Sequence, residues 1–203
     1  MTAPVDPERP GRLIYLHGFR SSPQSFKARL MAARLQALGR GDDFFCPSLP
    51  VSPREAIAAI LADLEPQPRD TLIGSSLGGF YATWLAEQCG CRAVLLNPAV
   101  HPAVGLASQV GEHSLYHGGG HFRFERHYLD ELRALQVPAI SRAQRYFLVA
   151  ATGDEVLDWR EMVAHYPGAR QRIIQGSDHG LSDFADYQDE VLAFAGVDIV
   201  RKG

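Results

Sequence analysis

Ser76 stands in Gly74-Ser75-Ser76-Leu77-Gly78, and the G-x-S-x-G spacing centres on it rather than on Ser75. An apolar run, Thr71-Leu72-Ile73, precedes the motif, and a helical pattern reaching Cys89 follows it. A strand-to-helix turn this tight needs small neighbours, which the flanking glycines supply. The turn lifts the serine hydroxyl clear of the sheet. The first backbone N–H groups of the helix then face any negative charge that develops beside it. The chemistry this suits is attack on an acyl carbonyl.

A serine hydroxyl is a weak nucleophile until a base takes its proton, and a carboxylate must orient that base. His179, in Gly176-Ser177-Asp178-His179-Gly180, is the candidate base, because it follows the last strand and precedes the last helix. The acid is expected after the penultimate strand, where Ala151-Thr152-Gly153-Asp154-Glu155-Val156 supplies Asp154. Asp158 is the runner-up and Glu155 a weaker choice. Asp178 adjoins the histidine in sequence, a poor geometry for holding its ring. The chain order Ser76, Asp154, His179 is that of α/β-hydrolases. Two main-chain donors are expected for the oxyanion, the N–H of Leu77 and the N–H of Phe19 in the loop after the first strand. His17, beside that loop, reads as a structural residue.

These residues need a scaffold, and the pattern of the chain predicts one. Strands are expected at Leu13–Leu16, Phe44–Cys46, Thr71–Gly74, Ala93–Leu96, Tyr146–Ala151 and Arg172–Gln175. Helices are expected at Gln24–Leu38, from Ser52-Pro53 to before Pro66, from the elbow to Cys89, at Arg160–Tyr166, and over a last stretch carrying Phe184, Tyr187, Val191 and Phe194. Gly39 is a C-terminal stop, and Ser52-Pro53-Arg54-Glu55 is a capping box. Strands alternating with helices imply one α/β domain over 1–203, a doubly wound sheet of about six parallel strands with helices on both faces. Ligands sit at the carboxyl ends of such strands, beside the point where winding reverses. The alternation breaks between His101 and Val137, where only Glu125–Leu135 looks helical. A long irregular insertion of this kind is expected to be a cap over the site.

Within that insertion His113, His117 and His121 recur every four residues, a spacing that would align three imidazoles on a helix for a metal. Gly118-Gly119-Gly120 argues against a continuous helix, and no cysteine or carboxylate completes the set. The expectation is a solvated loop, no metal and no cofactor. Cys46, Cys89 and Cys91 make an odd count without zinc-like or C-x-x-C spacing, and are expected to be reduced thiols.

The 203 residues suffice for a sizeable core, and 46% apolar with 21% charged content is ordinary for a globular chain. A net charge of −3 argues against a nucleic-acid partner. The proline-bearing start, Met1 to Gly11, has no apolar run, so neither a signal peptide nor a membrane anchor is expected, and the location is expected to be cytoplasmic. Oligomeric state has no sequence signal.

Leu13-Ile14-Tyr15-Leu16-His17-Gly18-Phe19 with Ser21-Ser22-Pro23 resembles the opening of the small YqiA-type bacterial esterases. So do the stretch from Gly74 to Trp84, Asn97-Pro98-Ala99-Val100, Thr152 to Asp158, and the Gly176–His179 loop. The resemblance spans nearly the whole chain. It implies a compact α/β-hydrolase core and a serine esterase activity, with Ser76, Asp154 and His179 as the triad. The cap is its least similar part. The substrate implied is a small-molecule ester. An acyl-CoA thioester is the nearest alternative, for which Arg20, Arg123 and Arg126 could form a basic mouth. A non-catalytic binding protein is the other alternative, though such proteins usually lose a triad member and all three candidates are present.

Overall fold

A computed structural model describes residues 11–116 and 119–200. Its strands are β1 (Leu13–Leu16), β2 (Phe44–Phe45), β3 (Thr71–Ser75), β4 (Arg92–Leu96), β5 (Gly111–Ser114), β6 (His121–Phe124), β7 (Tyr146–Ala151) and β8 (Arg170–Ile174). Its helices are α1 (Phe26–Ala37), α2 (Pro53–Leu64), α3 (Leu77–Cys89), α4 (Pro102–Gly105), α5 (Tyr128–Ala134), α6 (Trp159–His165) and α7 (Gln188–Phe194). Six strands form one parallel sheet in the order β2-β1-β3-β4-β7-β8, while β5 and β6 pair with each other as an antiparallel hairpin.

The sheet is buried on both faces, so its strands read as continuous apolar runs rather than alternating ones. Leu13 and Tyr15 point to the layer that holds Met31 and Leu35 of α1 and Val191 and Leu192 of α7. Ile14 and Leu16 point to the opposite layer, with Ile57 and Ile60 of α2 and Phe80 and Leu85 of α3. β3 pairs directly with β1, and β2 lies on the far side of β1. The winding therefore reverses between β1 and β3, and the carboxyl ends of these two strands carry His17-Gly18-Phe19 and Ser76.

The helix boundaries follow their local signals. Gly39 ends α1 with φ 72°. The Ser52 hydroxyl accepts from the Glu55 N–H at 3.2 Å and caps α2, with Pro53 at its first position. Two expectations need correction. β8 begins at Arg170 rather than Arg172. The last helix is split, because Phe184–Asp186 forms a 3-10 turn and Tyr187, at φ −137°, interrupts before α7. Phe184, Tyr187 and Val191 are nonetheless all buried, since a 3-10 turn followed by an α-helix keeps them on one side. In α1 the inward position next to Ala28 is taken by Lys27, while Phe26 is 44% exposed. α3 is buried nearly all round, with Trp84 only half-buried.

The segment after β4 is more regular than its sequence suggests. It contains α4, a 3-10 turn at Ala107–Gln109, the β5–β6 hairpin and α5. His113 pairs with Phe122, and Ser114 with His121, across the hairpin. His113 and His121 therefore sit on opposite strands, and the helical alignment of three histidines does not form; His117 lies outside the described residues. Phe122 and Phe124 alternate with His121 and Arg123, and Phe124 is buried. That period-2 pattern after a glycine-rich turn is the hairpin signal. Among the described residues no group of three His, Cys, Asp or Glu side chains is placed to hold a metal ion, and no helix is long and apolar enough to cross a membrane.

Candidate active site

Ser76 sits between β3 and α3 with φ 55° and ψ −121°, a backbone conformation that non-glycine residues rarely adopt. Such a conformation costs about 1–3 kcal/mol and persists only where its surroundings enforce it. The surroundings here are close-packed backbone. A Cβ on Gly78 would strike the carbonyl of Leu16, and one on Gly74 would strike the carbonyl of Gly78. A Cβ on Gly79 would lie 2.7 Å from Cβ of Pro98. The Ser76 N–H donates to the Leu96 carbonyl at 3.0 Å, and the Ser76 carbonyl accepts from the Ala99 N–H at 3.0 Å. The elbow is thus pinned to the end of β4.

The other two candidates arrive from the far side of the sheet. The loops after β7 and β8 are laced together: Thr152 N–H donates to Ile174 O at 2.9 Å, and Gly153 N–H to Gly176 O at 3.0 Å. Gly153 is small because Ser177 O and Gly176 O lie where a Cβ would go. This lacing brings Asp154 beside His179. His179 Nδ1 is 2.8 Å from Asp154 Oδ2, and His179 Nε2 is 3.0 Å from Ser76 Oγ. With the ring proton on Nδ1 donated to the carboxylate, Nε2 is free to accept the serine proton. The other carboxylate oxygen, Oδ1, accepts from the N–H groups of Val156 and Leu157, each at 2.8 Å. The Asp154 side chain is fully buried, which fixes its orientation.

The alternatives to Asp154 have other partners. Asp158 caps α6 by accepting from Arg160 N–H at 2.9 Å. Glu155 accepts the backbone N–H of His179 at 2.9 Å, so it holds the loop and not the ring. Asp178 accepts from Ser182 N–H at 2.9 Å, and hydrogen bonds hold its carboxyl below the usual carboxylate range.

Asn97 takes part in the same assembly in a way its sequence signal, a turn before Pro98, did not reveal. It is fully buried with φ 43°. Its amide donates to the carbonyls of Asp178 (3.0 Å) and His179 (3.2 Å), while its oxygen accepts from Ala151 N–H at 2.8 Å. One side chain therefore ties the end of β4 to β7 and to the histidine loop.

Gly18 packs against Ser76, whose Cβ would be 3.1 Å from a Cβ added there. Gly18, Phe19 and Leu77 all line the cavity that opens over Ser76 and His179, of about 790 Å³. Volumes of this order are usual for small-molecule sites. Phe19 is wedged edge-on among His113, Phe122 and Phe124, with ring centroids 5.3, 5.6 and 5.3 Å away. Arg20 Nε donates to Ser114 O at 2.9 Å, and its guanidinium lies 4.6 Å from the Tyr116 ring centre. These contacts dock the loop after β1 against the hairpin. Val104, Leu106 and Tyr116 from the segment after β4 line the same cavity. Of the three arginines considered for a basic mouth, Arg20 lines it, whereas Arg123 pairs with Glu112 and Glu125 and Arg126 is exposed outside it.

His17 lies under this loop. Its Nδ1 faces Gly18 O at 3.1 Å, and its Nε2 accepts from Leu49 N–H at 3.3 Å. Burial lowers its pKa and favours this neutral tautomer. The three cysteines are free, and burial pushes the thiols of Cys46 and Cys91 up to about 12.

The sheet order, the strained serine at the end of β3 and the histidine loop after β8 define an α/β-hydrolase fold. Solved structures agree. A candidate hydrolase from Agrobacterium vitis S4 superposes with TM-score 0.72 at 19% identity, over 96% of this chain and 91% of that one. The mouse α/β-hydrolase domain-containing protein 10 gives 0.67 at 16% identity, over 93% and 92%. A structure from the metagenome-derived lipolytic enzymes LipS and LipT gives 0.65 at 20% identity, over 93% and 94%. The chain itself belongs to the uncharacterised protein family UPF0227, whose model matches residues 12–196. This is the family of the YqiA-type proteins that the sequence resembles.

Proposed function

We propose that the protein is a serine carboxylic-ester hydrolase. The observation that carries this reading is the hydrogen-bonded chain from Asp154 through His179 to Ser76 Oγ, at 2.8 and 3.0 Å. Ser76 attacks the acyl carbonyl while His179 Nε2 takes its proton. The oxyanion is held by the N–H groups of Leu77, at the open start of α3, and Phe19. His179 then gives the proton to the leaving alcohol, and a water activated by the same nitrogen releases the acid. The chain's own residues supply every step. The lipolytic and hydrolase descriptions of structural neighbours support the same class. Residues 101–137 act as a cap, since Val104, Leu106 and Tyr116 wall the cavity. Arg20 at that cavity gives a thioester of an anionic carrier such as acyl-CoA a foothold, so it is the second substrate to try.

The test is labelling with a fluorophosphonate probe, with mapping of the modified peptide, alongside turnover of aryl esters and acyl-CoA. Label is expected on Ser76, and Ser76→Ala is expected to lose it together with turnover, by roughly 10⁴-fold or more. Folded wild-type protein that neither labels nor turns over any ester would sink the reading and favour a binding protein on a hydrolase scaffold.

A further inference from the structure

Among the described residues Lys27 is the one ammonium group in the core layers, and the reaction just described does not use it. It projects from α1 and is 8% exposed. Its Nζ donates to the carbonyl of Gly180, the residue that follows His179. Lys27 and Gly180 line the cavity together with Tyr15 and Ser25. The charged groups that face Lys27 are Asp154, from the loop after β7, and Asp178, from the loop after β8. His179 is the titratable group beside Gly180, and burial keeps the Tyr15 hydroxyl on β1 protonated.

A lysine is rarely buried unless something nearby uses its charge. Here the carbonyl it meets belongs to the loop that must hold an imidazole within hydrogen-bond reach of a serine. A small displacement of a base costs rate steeply. We propose that Lys27 is a positioning residue: its ammonium clamps the Gly180 carbonyl and thereby holds the His179 ring on the line between Asp154 and Ser76. This inference rests on the hydrolase reading for its kinetic consequence, but not for the clamp itself.

The clamp is strongest while the amine is charged, because charge-assisted hydrogen bonds are roughly twice as strong as neutral ones. Burial lowers the pKa of Lys27 to about 8, against the attraction of Asp178 and Asp154. The amine is therefore half charged near pH 8, charged at lower pH, and the clamp slackens as pH rises through that value. Replacing a buried ammonium by an apolar side chain of similar length is often neutral or stabilising, so Lys27→Met is a usable probe.

The experiment has two arms. In the first, the Gly180 carbonyl carbon and Leu181 amide nitrogen are followed by NMR from pH 6.5 to 9.5, in wild type and Lys27→Met. A transition near pH 8 in wild type that vanishes in the variant is expected. The same transition in both proteins, or Gly180 carbonyl and Leu181 amide shifts that Lys27→Met leaves unchanged, would overturn the clamp whether or not the protein is an esterase. In the second, ester kinetics are measured across the same range. Lys27→Met is expected to lose between about tenfold and a hundredfold in kcat with KM unchanged, and to lose the alkaline decline of the wild type. Unchanged kcat, or a raised KM alone, would overturn the positioning role. Absence of wild-type turnover would count against the esterase reading and leave the first arm to decide the clamp.

Discussion

At the scale of single residues the site depends on direction. Asp154 accepts from three N–H groups: two backbone donors on Oδ1 and the His179 ring on Oδ2. Asp154→Asn can keep its oxygen toward Val156 and Leu157, but it then turns an NH₂ toward His179 Nδ1. The ring must flip its proton to Nε2 and can no longer take one from Ser76. A fall in kcat of roughly 10⁴-fold is expected, with the thermal midpoint little changed. Retention of most of the activity would show that another carboxylate orients the ring. Ser76, Asp154 and His179, which the structure joins in one hydrogen-bonded chain, could be singled out from residue type, spacing and chain order. Lys27 and Asn97 could not. A lysine in a helix reads as solvent-facing, and Asn before Pro reads as a turn. Only contacts across more than fifty residues, to Gly180 and to the histidine loop, reveal what these side chains do.

At the scale of elements the elbow is held by the close approach of three backbones: the end of β1, the turn after β3 and the start of α3. Gly78 sits at their junction, with no room for a Cβ against Leu16 O. Gly78→Ala must push α3 away from β1, and overpacking of this kind typically costs about 1–3 kcal/mol. A lower urea midpoint is expected, together with slower fluorophosphonate labelling, because the Leu77 N–H moves with the helix. Wild-type stability and labelling would show that the junction is slack. The insertion between β4 and β7 was the least legible element. Its strands are four residues each and half-polar, and their partner is a hairpin arm rather than the main sheet. What makes them fold is the Phe19–Phe122–Phe124 contact, which belongs to a loop about a hundred residues away.

At the scale of the whole molecule, stability should depend on acid through buried histidines. Burial lowers the pKa of His17, and burial aided by His101 lowers that of His165. Both stay neutral in the folded protein, while the unfolded chain takes up protons below about pH 6.5. The unfolded state then binds more protons, so stability is full above that pH and is lost as pH falls through it. His17 has a specific reason to resist: protonation puts a donor on Nε2, against the Leu49 N–H. A lower urea midpoint at pH 5.5 than at pH 7.5 is expected, with a smaller difference in His17→Gln. The depressed carboxyls of Glu87 and Asp178 act in the same direction but only at lower pH. Equal midpoints at the two pH values would contradict the neutral-histidine account.

The sequence alone determined the parallel α/β sheet, the glycine-flanked elbow at Ser76, and the two later strand-end loops that offer it a histidine and a choice of acids. These depend on local rules: apolar runs for buried strands, glycine where backbones touch, and loops at strand ends for chemistry. The tertiary structure alone decided that β1 and β3 are neighbours and that Asp154, rather than Asp158 or Glu155, meets the ring. It also decided that the insertion is a hairpin and that a lysine lies beneath the histidine loop. These outcomes rest on pairings between distant segments, whose energies depend on distance and burial, and neither quantity is carried by residue order.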